Sequence, residues 1–76
     1  MKTSKEPYAK IDVEYLGKPR YALNFYTLKN DGAYGIQIDK LDPDRTNVLH
    51  SETAENIATS EAEAKKMIDN MFEDMF

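Results

Sequence analysis

The chain has 76 residues, 41% of them apolar, and a formal charge of −4. That length allows one domain with one compact core and leaves no surplus for a second. The absence of cysteine excludes a disulfide staple, a thiolate nucleophile and a cysteine-based zinc site. No apolar run approaches the ~20 residues needed to cross a bilayer, and no basic-then-apolar leader opens the chain, so a cytoplasmic protein without membrane contact is expected.

The charge is unevenly spread. Residues 1–38 carry six basic and four acidic groups, whereas residues 39–76 carry four basic and ten acidic ones. An acidic second half argues against direct nucleic-acid binding, which needs clustered cations to meet phosphates. It suits docking onto a basic protein surface.

In chain order, residues 1–7 are polar and end at a proline, and are expected to form a flexible N-terminal tail ahead of a single domain over 8–76. Tyr8 to Leu16 alternates, with Ile11, Val13 and Tyr15 on one side and Lys10, Asp12 and Glu14 on the other, the pattern of a half-buried strand. Gly17-Lys18-Pro19 is expected to supply a turn. Arg20 to Lys29 is a second strand, apolar on one side through Tyr21, Leu23 and Phe25 and partly so on the other through Ala22, Tyr26 and Leu28. Asn30-Asp31-Gly32 is the clearest hairpin signal in the chain, because Asp-Gly accepts the positive φ that tight hairpins demand.

A third strand follows over Ala33 to Leu41, alternating through Tyr34, Ile36 and Ile38. Asp42 to Asn47 is a loop of turn formers. Val48 to Ile57 is a weaker, more polar strand that fits a sheet edge. From Glu61 to Phe76 the period changes to 3.6. Ala64, Met67, Ile68, Met71, Phe72 and Met75 share one side of a helix, and Lys66, Asp69, Asn70, Glu73 and Asp74 the other. Ser60 with Glu63 fits a capping box, with Thr59 as the rival cap. These elements predict an α+β fold, a four-stranded antiparallel β-meander with one C-terminal α-helix packed on one sheet face (β-β-β-β-α).

Tyr34-Gly35-Ile36-Gln37-Ile38, then Glu55-Asn56-Ile57-Ala58-Thr59-Ser60, then the helix through Ala64, Met67 and Ile68 resemble a group of small uncharacterised clostridial proteins. The resemblance covers about half the chain and implies a cytoplasmic origin in Firmicutes or their mobile elements. It implies no activity.

The chemistry-bearing residues are sparse. His50 is the only histidine, and alternation puts Glu52 on its side of the strand but Ser51 on the other, so no nucleophile–base–orienter set is local. Asp39, Asp42, Asp44 and Asn47 could approach a hard cation, yet their spacing is not that of a calcium loop, and such residues are also what turns use. Five tyrosines fall in the strands, where they suit half-buried positions better than base stacking without basic neighbours. No catalytic residue, cofactor or metal ligand is therefore expected.

What remains is surface. One helix covers one sheet face, so Leu16, Tyr26, Leu28 and Leu41, with Ala22, are expected on the open face as a contact for a partner or a second copy. Glu52, Glu55, Asp69, Glu73 and Asp74 are expected to form an acidic face. The reading is a non-enzymatic, acidic protein-binding module, in its specific form a phage or mobile-element (anti-CRISPR-like) inhibitor of a nucleic-acid-handling protein. The alternatives are a homodimeric interaction module and a small ligand binder or enzyme.

Overall fold

A computed structural model of the chain describes residues 4–75, with Met75 described by its backbone alone. Strands β1 (Ser4–Tyr15), β2 (Lys18–Asn30), β3 (Ala33–Leu41) and β4 (Val48–Ala58) precede one helix, α1 (Glu61–Met75). The strands form one antiparallel sheet in the order β1-β2-β3-β4, so the predicted meander and its class are those observed. Each strand pairs with its sequence neighbour because short loops let consecutive antiparallel strands meet at little entropic cost.

Opposed residues define the faces. Ile11 pairs with Leu23, Ala9 with Phe25 and Val13 with Tyr21, while Phe25 also pairs with Ile38 and Thr27 with Ile36. These residues lie under α1 on the inner face. The fully buried Phe25 and Ile68 are the largest such side chains, and Leu23, Ile36, Ala58 and Ala64 close around them. Phe72 meets Phe25 edge to face, ring centroids 4.8 Å apart, an arrangement that adds to simple burial. Leu23, Phe25 and Ile36 belong to this core with Ile11, Val13 and Ile38 packed against it, and Ala64, Met67, Ile68, Met71 and Phe72 join it from α1. Met75, placed in the same stripe by its spacing, and Phe76 lie outside the described side chains.

Two local expectations are corrected. Residues 4–7 are not a tail: Ser4 to Pro7 pair with Lys29 to Tyr26, extending β1 beyond Tyr8. Pro7 is tolerated because β1 is an edge strand, and the register shifts there, leaving Tyr8 as the extra residue. Residues 1–3 of that expected tail lie outside the described residues. The first turn is Leu16-Gly17, both at positive φ (54° and 76°), and Lys18 and Pro19 already pair with Tyr15 and Glu14. Pro19 fits because β3 reaches only Ala22, so no ladder bond is asked of that stretch on its far side.

The helix start uses both proposed caps. Ser60 Oγ accepts from the Glu63 N–H at 3.1 Å, while Glu63 Oε2 accepts from the Thr59 hydroxyl at 2.7 Å and the Thr59 N–H at 3.3 Å. This is a capping box whose return arm reaches one residue further back than usual. The bonds from Thr59 hold the Glu63 carboxyl below its ordinary pKa.

Candidate functional site: the two faces and the acidic ridge

On the outer face the alternate residues of the strands look away from α1. Ala22, Asn24, Tyr26 and Leu28 of β2 sit opposite Leu41, Asp39, Gln37 and Gly35 of β3. No layer covers them, yet Ala22, Leu28, Leu41 and Asp39 are buried. The β3–β4 loop supplies part of the cover. Its Asp42 carboxylate accepts from the Thr46 N–H (2.8 Å), Thr46 Oγ1 (2.7 Å), Asn47 Nδ2 (3.0 Å) and the Asn47 N–H (3.3 Å), winding the loop on one anchor. These donors, led by the Thr46 hydroxyl, pull the Asp42 pKa down to about 2.

The wound loop places Arg45, at φ 60°, so that its side chain returns across the sheet. Its guanidinium donates to Asn24 Oδ1 and, at 2.9 Å, to Asp12 Oδ1. Ala22, the partner of Asp12 in the register, lies in the row this arm spans and is fully buried. Beyond it, Asp39 Oδ1 accepts from Ser51 Oγ at 2.6 Å and from Gln37 Nε2 at 2.9 Å, which satisfies a buried carboxylate.

The outer face is thus a hydrogen-bonded polar surface rather than an apolar patch. Of the four residues expected there as a contact, Leu28 and Leu41 are buried and Tyr26 is half-buried. Leu16 is 83% exposed but sits at the tip of the first hairpin, away from the others. Sequence alternation identified the right face and missed Arg45, because a loop arginine gives no periodic signal.

Every tyrosine ring has a basic side chain over it. Lys5 lies 4.6 Å from the Tyr26 centroid, Lys40 4.6 Å from Tyr21, Arg20 5.0 Å from Tyr15, Lys65 5.6 Å from Tyr8 and Lys29 6.0 Å from Tyr34. The ring faces that could stack a base, and half of the basic groups that could hold a phosphate, already face each other.

The helix divides the five expected acidic residues. Tyr8 donates its hydroxyl to Asp69 Oδ1 at 2.9 Å, which places Asp69 on the β1 flank and raises the Tyr8 pKa through that bond. Glu52 lies on the opposite flank, where it lines a shallow groove with Met71, Ile36 and Ile38, and its Oε1 is 3.1 Å from His50 Nε2. Glu55 is exposed in a bulge of β4, where Glu55, Asn56 (φ 58°) and Ile57 stand opposite Gly35 alone. A side chain at Gly35 would meet that bulge: a Cβ there would lie 2.2 Å from the Ala54 carbonyl oxygen.

Glu73 and Asp74 project from the last turn of α1, exposed, with no basic residue in that turn. Among the described residues neither has an ion-pair partner. What the structure brings together is therefore a ridge along α1, ending in Glu73 and Asp74, with Asp69 one turn earlier and to the side.

Catalytic and metal chemistry find no cluster among the described residues. His50 and Glu52 share the inner face, but Ser51 points to the outer one and bonds Asp39. Asp42 spends its oxygens on its own loop, and no three metal-ligating side chains converge. A depression of about 230 Å³ beside the helix start, lined by Ser4, Glu6, Thr27, Lys29, Tyr34 and Glu61, is smaller than typical small-molecule sites. Among the described residues, no helix is long and apolar enough to cross a membrane. No family model, no curated protein and no solved structure matches this chain.

Proposed function

We propose that the protein is a non-enzymatic binding module that docks a basic surface of a protein partner with the acidic ridge of α1. The observation that carries the reading is the last helical turn. Glu73 and Asp74 sit at the negative end of the helix dipole, where carboxylates are disfavoured by about 0.3–1 kcal/mol each. Among the described residues, no ion pair offsets that cost. Charges that the fold would be better without have their reason outside the fold.

In its specific form the partner is a nucleic-acid-handling protein in the cytoplasm, and the carboxylates take the places of phosphates, as in an inhibitor carried by a phage or mobile element. The occupied tyrosine rings support this direction, since they leave little with which the protein could bind nucleic acid itself. A tagged chain should retain one stoichiometric partner from nuclease-treated lysate of the source cell at low salt and release it at high salt. The double variant E73K/D74K should not retain it. Equal capture by the variant, or capture indifferent to salt, would contradict the reading.

A further inference from the structure

We infer that β4 is a self-pairing edge: two copies of this chain join β4 to β4 antiparallel, with Ser51 on the two-fold axis. The proposal is independent of the acidic ridge. The sheet has two free edges, and they differ. β1 is interrupted by Pro7 and the Tyr8 irregularity and carries Lys5 and Lys10, devices that discourage strand addition. Its Asp12 is also committed to Arg45. Between Val48 and Ala54, β4 has no proline, lysine or arginine, holds unbroken register with β3 from His50 to Ala54, and leaves Val48 57% and Leu49 58% exposed.

Symmetry then selects the register. In a two-fold antiparallel pair that continues one sheet, opposed residues must point to the same face, so the axis falls on a residue and not between two. An axis at His50 opposes two imidazoles, and one at Glu52 opposes two carboxylates. At Leu49 or Thr53 the axis leaves both groups facing uncharged residues. Only an axis at Ser51 brings His50 of each copy opposite Glu52 of the other, twice. Both groups are exposed, with side chains 63% and 74% accessible, and within one chain they already lie 3.1 Å apart. The same register brings Leu49 of each copy alongside Thr53 of the other, while Val48 lies beyond the register shift that β4 makes against Lys40 and Leu41. The product is an eight-stranded sheet with both α1 helices on one side, so that two acidic ridges face the same way.

The test is sedimentation equilibrium of the full chain over a wide concentration range, with four variants. H50E opposes two carboxylates across the strands and E52K removes the carboxylate that faces His50, so each should weaken the dimer about tenfold. H50E/E52K should restore it, and K10E on the other edge should leave it unchanged. Because the chain has no cysteine, S51C gives a second readout: mild oxidation should join it to its own counterpart across the axis, whereas T53C, displaced from the axis, should stay unlinked. A wild type that remains monomeric, a dimer that E52K does not weaken, failure of the swap to restore it, or a dimer broken by K10E would each overturn the proposal.

Discussion

Asp42 shows how one side chain shapes the outer face. Four donors converge on its carboxylate, and the loop they wind delivers Arg45 across the sheet to Asn24 and Asp12. The Asp42 pKa in the folded protein, about 2, lies below the ordinary value of 3.8. Such a group stabilises the fold fully above the ordinary value, and its contribution fades as pH falls from 3.8 through 2. In D42N an amide nitrogen faces donors, so urea unfolding should show it less stable than wild type at pH 7. The gap should close toward pH 2, and a gap unchanged across that range would show that the charge is not what winds the loop. The composition of 42–47 announced a turn; that Asp42 holds it, and that Arg45 then crosses to β2, depends on contacts the composition does not encode. Gly35 is similar. It reads as a weakness within a strand until the β4 bulge is seen to need its missing side chain.

The elements were legible where period and chemistry agreed. Period two through Leu23, Phe25, Ile36 and Ile38, and period 3.6 through Ala64, Ile68 and Phe72, place the same residues in the core that the folded chain buries. Proline and glycine punctuation predicts the element ends less well than the period does. Pro7 and Pro19 looked like boundaries, yet both lie in strands where no partner needs their missing N–H, and the first turn moved back to Leu16-Gly17. Thr59 and Ser60 looked like competitors for one role and divide it. Because Ser60 Oγ satisfies the Glu63 N–H, S60A should lose about 1 kcal/mol of stability in chemical denaturation. T59A, which leaves that bond and the Thr59 N–H bond in place, should lose less. The reverse order would make Thr59 the cap.

The molecule measures 42 × 25 × 14 Å, thin enough for one sheet and one helix layer. A plate of this kind has two broad surfaces. On the outer one, Arg45 and the Asp39–Gln37–Ser51 bonds occupy the polar groups, while Leu28 and Leu41, expected to be available there, are already buried. On the other, α1 presents five carboxylates against Lys65 and Lys66, and the last two carboxylates oppose the helix dipole. The sequence showed the acidic half and the amphipathic helix, but not that α1 would separate Asp69 from Glu52, because that depends on which flank each strand takes. The proposal that this ridge is kept for docking at the expense of the fold has a consequence that needs no partner to measure. Replacing Glu73 and Asp74 by lysine reverses an unfavourable interaction at the helix end, so E73K/D74K should unfold at higher urea than wild type, by about 1 kcal/mol or somewhat more. A lower midpoint would mean that these carboxylates hold the structure together, and the reason for assigning them to a partner would be gone.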